Sequence, residues 1–164
     1  MTRPVKDAAL PAKPETVHQI YTLGYQGLKQ PIIYAAVESV GGWLIDIRMS
    51  PWSRDPLWKK GHLKGFDRYY HIADLGNKNY NGKHGDGIMI RDFVGGMHQL
   101  FPMAQQGPTF LMCACWNRLT CHRATVADMI TDAYDLSIIH LSKHDVIDMG
   151  TPVEPESIQQ LMLF

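Results

Sequence analysis

A chain of 164 residues, 45% of them apolar and 20% charged, has the size and composition of one ordinary globular domain. Sixteen Lys and Arg balance sixteen Asp and Glu, so no net field draws the chain to phosphate backbones or anionic lipid, and a protein that coats nucleic acid is disfavoured. The longest apolar run near the N-terminus, Ile32 to Val37, falls far short of the roughly 18 residues a bilayer span needs, so no membrane partner is expected.

Residues 1–16 read as a flexible, Pro-bearing leader without the apolar core of a signal peptide, and residues 17–164 as one domain. His18 to Tyr25 is β-branched and aromatic and stops at Gly24 and Gly27, which predicts a first strand. Pro31 opens a helix with Ile32, Ile33, Ala36, Val37 and Val40 on one stripe and Gly41–Gly42 at its end. A second strand is predicted over Trp43 to Met49. The loop SPWSRDP follows, broken by Pro51 and Pro56, and then a helix over Leu57 to Arg68. Tyr69 to Leu75 reads as a third strand.

Between Gly76 and Gly87 the composition shifts to Gly, Asn, Lys and His without apolar periodicity, a candidate lid. Ile88 to Gln105 reads as a weaker helix interrupted by Gly95–Gly96, and Thr109 to Cys115 as a fourth strand. A strong helix is predicted from Cys121 to Tyr134, its core face Val126, Ala127, Ile130, Ala133 and Tyr134, and a fifth strand over Leu136 to Leu141. A Pro-rich connector, TPVEPES, and a short amphipathic end close the chain. Strand and helix alternate throughout. The expected fold is therefore a compact three-layer α/β domain, with a mainly parallel sheet of about five strands and helices on both faces.

In such a sheet ligands sit outside the carboxyl ends of the strands. The residues delivered there are polar: Gly24 and Tyr25, then Asp46, Arg48, Ser53 and Arg54, then Asp74 and Gly76, then Cys113 followed by Cys121, His122 and Arg123. They are expected to share one cleft. Cys121 falls in the first turn of a helix, where free N–H groups lower a thiol pKa, so it is a candidate nucleophile; Cys113 could form a redox pair with it. The competing reading makes all three cysteines small core residues. Zinc is disfavoured, since Cys121 and His122 are adjacent and the C-x₂-C spacing is missing, so no metal and no cofactor is expected.

Asp46 and Arg48 occupy alternate strand positions and face one side, so Asp46 either serves as a base or orients the arginine. Arg48, Arg54 and Arg123 suit a phosphate or carboxylate. Against this stands an Asp46–Arg48 ion pair that only pins the SPWSRDP loop, while Ser53 reads as a turn residue. GNKNYNGKHGDG fails the phosphate-loop spacing, because five residues separate Gly76 from Gly82–Lys83 and His84 stands where Ser or Thr would hold magnesium. His140 and His144 read as structural or exposed. Trp52, Trp58, Tyr69 and Tyr70 lie near Arg54, Lys59, Lys60, Lys64 and Arg68, a pattern that would also suit a single-stranded nucleic acid.

YTLGYQG, LIDIRMSPWSRDP, YYHIADLGN and FLMCACWNRLTCHR, in that order and spacing, resemble the bacterial domain of unknown function family 488 over roughly residues 18 to 142. The most specific pieces are Asp46, Arg48, Pro51, Ser53 and Arg54, and the C-x₇-C-H-R pattern of Cys113, Cys121, His122 and Arg123. The resemblance implies a compact α/β fold and a shared polar site at the strand ends. Two departures are visible: Gly24–Tyr25 where family members often carry Gly-His, and Cys115 with WNRLT in place of a usually charged stretch.

The expectation is a cytoplasmic enzyme for a small anionic, nucleotide-like or phosphorylated ligand. Cys121, Cys113 and Asp46 are its candidate catalytic residues. Arg48, Arg54, Arg123, Ser53, Gly24, Tyr25, Gly76 and His122 are its candidate binding residues. The alternative is a noncatalytic ligand-binding or partner-binding module built on the same arginines.

Overall fold

A computed structural model describes residues 9–152. The first half of the expected leader, and the Pro-rich connector with the amphipathic end from residue 153 onward, lie outside the described residues. Five strands form a single all-parallel sheet: β1 (Ile20–Gly24), β2 (Trp43–Asp46), β3 (Tyr69–His71), β4 (Thr109–Cys113) and β5 (Ile138–His140), in the order β3-β2-β4-β1-β5. The helices are α1 (Gln30–Ser39), α2 (Lys60–Leu63), α3 (Phe93–Gln106), α4 (His122–Tyr134) and α5 (Lys143–Gly150). Among the described residues no helix is long and apolar enough to cross a membrane.

Both faces of the sheet are buried, and the strands alternate between two apolar cores, as the period of two requires. Leu44, Phe110, Met112 and Leu23 pack with Ile33, Val37, Leu63 and Val146, so α1, α2 and α5 cover one face. Ile45, Leu111 and Ile20 pack with Met97, Leu100, Val126 and Ile130, so α3 and α4 cover the other. The chain runs from β1 outward through β2 to β3 along the first face, then returns by α3 to place β4 in the middle. The connections leaving β4 and β1, which are neighbours, therefore depart to opposite faces. This is the switch point at which a parallel sheet opens a crevice.

Several expected elements change. The predicted helix over 57–68 shrinks to a 3₁₀ turn, Pro56–Trp58, and the single turn α2. Strands β2 to β4 end two to four residues early, and after β3 the chain closes as a 3₁₀ turn, Ala73–Leu75. The helix expected from Ile88 begins at Phe93, where the Asp92 side chain accepts the Gly95 N–H and puts the glycine pair in the first turn. Val40 and Ala133 are exposed rather than on core faces. Helix α5 was not expected. Its start carries a capping box, in which Ser142 Oγ accepts the Asp145 N–H and the Asp145 carboxylate accepts the Ser142 N–H.

Candidate active site at the thiol cluster

Two recesses lie side by side above the carboxyl ends of the strands, divided by the loop between β4 and α4. That loop gives Ala114, Cys115 and Thr120 to a recess of about 360 Å³ beside β2, and Trp116 to Leu119 to a recess of about 540 Å³ beside β1 and β5. Gly24 allows the arrangement, because a Cβ there would overlap the Cys115 carbonyl. Gly76 has a similar packing role, since its Cβ would lie 2.6 Å from Met49 Cα.

The smaller recess holds the thiols. Cys113 ends β4, buried in the apolar sheet; Cys121 is the residue preceding α4; Cys115 lies exposed on the loop. The three sulfurs lie within 4.8 Å of one another, and Cys113 Sγ is 2.7 Å from Cys121 Sγ. Cys121 is the N-cap residue of α4, at the positive end of the helix. His122 Nε2 donates to the Ile47 carbonyl at 2.9 Å, which fixes the ring with Nδ1 turned to Cys121 Sγ at 3.9 Å.

These contacts polarise the thiols in opposite directions. The Cys113 S–H, working against burial and joined by His122 and the Arg123 backbone N–H, holds Cys121 well down, at about 4. Cys113 is pushed up by its hydrogen bonds to Cys115 and Cys121 and by burial, and so stays protonated. Cys113 has one hydrogen to share, and its 2.7 Å approach to Cys121 Sγ against 3.6 Å to the Cys115 carbonyl directs that hydrogen to Cys121. Burial opposes a charge on His122, yet the neighbouring Cys121 and the Ile47 carbonyl raise its pKa.

The same cluster offers up to three sulfurs and His122 Nδ1 to a soft metal. A tetrahedral zinc with Zn–S near 2.3 Å needs sulfur–sulfur edges of about 3.8 Å. The Cys113–Cys121 separation of 2.7 Å would have to open to admit one.

The wall on the β2 side is built on a buried ion pair. Asp46, with no solvent exposure, accepts from Arg48 Nε (2.9 Å), Arg48 Nη2 (2.7 Å), the Arg48 N–H (3.1 Å) and the Tyr69 hydroxyl (2.8 Å). Arg48 also donates to the Trp58 carbonyl at 2.8 Å and to the Tyr25 hydroxyl at 3.1 Å, and Tyr25 stacks on Trp58 with centroids 4.2 Å apart. The pair thus pins the loop after β2. Asp46 spends both oxygens on these bonds, and Arg48 has one Nη1 hydrogen left for the recess.

Of the residues expected in one cleft, Cys113, Cys121, His122 and Arg48 line the thiol recess, and Gly24 and Arg123 line its neighbour. Asp46 and Tyr25 are buried behind the wall. Ser53 accepts the Asp55 N–H in a turn, Arg54 is exposed on the same loop, and neither lines either recess. The expected nucleic-acid patch is dispersed: Trp58 and Tyr69 turn inward, and Arg68 donates to the Gly41 and Gly42 carbonyls.

Sequence reasoning missed the part of the Gly76–Gly87 segment that reaches the site. Asn77 and Tyr80 line the thiol recess, and buried Asn79 ties the segment together, donating to the Gly85 and Gly87 carbonyls and accepting the His84 N–H. Its N-x-N-x-N spacing was the available signal, since asparagine side chains mimic backbone turns.

The family model described as "Domain of unknown function DUF488" matches residues 33–130, which span β2 through most of α4 and include the thiol cluster. The chain belongs to the DUF488 family. No curated protein and no solved structure matches it. The matched region of this DUF488 domain contains Asp46, Arg48, Cys113, Cys121, His122 and Arg123, whereas Gly24, Tyr25, β5 and α5 lie outside it.

Proposed function

We propose that the chain is a thiol-dependent enzyme for a small anionic substrate, with Cys121 as its nucleophile. The observation that carries this reading is the position of Cys121 Sγ, between the Cys113 thiol and His122 Nδ1 at the N-terminus of α4. A thiolate present at neutral pH is the form that attacks. The recess beside it, about 360 Å³, has the volume of a small-molecule site.

In the proposed reaction the Cys121 thiolate attacks an electrophilic centre, the bond to the leaving group breaks, and His122 Nδ1 gives that group its proton. A covalent thio-intermediate remains. Neutral His122 then takes the proton of water or a second acceptor as it displaces Cys121, restoring the starting pair. Asp46 acts as a positioning residue, holding Arg48 and through it the recess wall. Free cysteines support work in a reducing compartment such as the cytoplasm.

A second reading has its own support in the 2.7 Å approach of Cys113: the pair reduces a substrate disulfide, Cys121 attacking one sulfur and releasing the first thiol, Cys113 then displacing the second thiol and leaving a Cys113–Cys121 disulfide. Diamide titration followed by peptide mapping separates the two, since a rapid, exclusive Cys113–Cys121 bond favours the redox cycle.

Iodoacetamide labelling across a pH series, read by peptide mass spectrometry, tests the thiolate. Cys121 is expected to label at a rate independent of pH above its pKa of about 4. If Cys121 reacts only after denaturant is added, it is a core residue, and the chain is a noncatalytic binding module.

A further inference from the structure

The recess beside β1 and β5 is the larger of the two, and its lining is cationic. Arg118, Arg123 and Lys143 face it together with His140, and among the described residues no carboxylate lines it. Arg123 is the telling residue, being only 2% exposed. Its Nη2 donates to the Trp116 carbonyl at 2.6 Å, but Nε and Nη1 have no partner. A buried guanidinium left without a counter-charge is costly, and proteins pair such groups or place a ligand on them.

The surrounding groups do not neutralise it. Cys121 Sγ is turned to His122, 3.9 Å from Nδ1. Asp145 is occupied in capping Ser142, and Asp148 pairs with His144 at 3.3 Å. Asp128 bears on His140, but it does not line the recess. Burial first, and then the charges of Arg118 and Arg123, press the His140 pKa down. The flank is different in kind: Trp116 is 60% exposed with the Lys143 ammonium 5.5 Å from its ring centroid, and Leu119 beside it is 81% exposed. A volume of about 540 Å³ accommodates a ligand of nucleotide size.

We infer that this recess binds a phosphate monoester carried on a planar apolar body, the chemistry of a nucleoside monophosphate. Arg118, Arg123 and Lys143 surround the phosphate, and Trp116 packs against the body. The inference goes beyond the proposed function, since the β4–α4 loop separates this recess from the thiols, and it is tested by binding alone, in Cys121→Ser protein, so that its failure is separate from a failure of the thiol chemistry.

Isothermal titration calorimetry with adenosine 5′-monophosphate, inorganic phosphate and adenosine provides the test. The monophosphate is expected to bind saturably at one site, phosphate more weakly, and adenosine without detectable heat. Arg118→Ala with Lys143→Ala, both on the surface, should weaken monophosphate binding by about tenfold or more, the equivalent of one charged hydrogen bond. Trp116→Ala should weaken the monophosphate while leaving phosphate unchanged. Arg123→Met should abolish both, and if that variant does not fold, the surface pair decides. Absence of saturable monophosphate binding, an affinity unmoved in the surface pair, or adenosine binding as tightly as its monophosphate would each overturn the inference.

Discussion

Replacing Asp46 by Asn keeps the shape of the side chain and removes its charge, which tests whether the recess wall depends on the ion pair. In the folded chain the Asp46 carboxylate accepts four hydrogen bonds, three of them from Arg48, at a site with no solvent exposure. The amide of Asn presents donors where Arg48 Nη2 or Nε also donates, so at least one buried guanidinium hydrogen and its charge lose their partner. Breaking one side of a buried pair in this way costs about 3–5 kcal/mol. For a domain of this length each kcal/mol corresponds to roughly 2–4 °C, so the midpoint should fall by about 10 °C. The loosening should also spread: the Trp58 carbonyl and the Tyr25 hydroxyl are held by the same guanidinium, and the Tyr25–Trp58 stack should lose order. Urea denaturation followed by circular dichroism and by tryptophan fluorescence measures both effects. A loss below about 1 kcal/mol, the range of a surface pair, would refute the reasoning. Arg48 would then be free to serve as a ligand group.

Two further outcomes follow from the crowding and the charge around Cys121. Gly24→Ala forces a Cβ onto the Cys115 carbonyl, so it should destabilise the fold by about 1–3 kcal/mol in urea denaturation and raise the accessibility of Cys121 to iodoacetamide at neutral pH by displacing the loop. His122→Gln keeps a donor for the Ile47 carbonyl but removes the imidazolium, so the Cys121 pKa should rise, read as a shift of its labelling profile to higher pH; an unchanged profile would leave His122 without a role in the thiolate.

The layered fold was legible because its signals are local. Strand segments such as FLMC and WLI are apolar on both sides, and the helix stripes Ile33–Ala36–Val37 and Val126–Ala127–Ile130 keep their period in the structure. Elements set by tertiary bonds were less visible. The helix expected over 57–68 is broken because the Trp58 carbonyl bonds Arg48 and the Trp58 ring bonds nothing helical but stacks on Tyr25. Helix α5 could have been found from Ser142 and Asp145, three apart ahead of Val146 and Ile147, but the neighbouring histidines drew the reading.

At the site, the logic of strand ends found Cys113, Cys121, His122 and Arg123, whose placement follows from β4 leading directly into α4. It could not foresee that the β4–α4 loop divides the edge into two recesses. That division depends on β4 inserting between β2 and β1, a matter of strand order rather than of local pattern. Nor could alternate placement on β2 show that Asp46 and Arg48 would satisfy each other so completely.

The central claim is that Cys121 rests as a thiolate at neutral pH. Ultraviolet absorbance of the thiolate, followed as pH is raised through the acid range in the wild-type chain and in Cys121→Ser, measures it directly. The account predicts a one-thiolate step near pH 4 that is present in the wild type and missing from the variant. A wild-type curve that matches the variant below pH 7, with Cys121 ionising only in the ordinary thiol range, would contradict it.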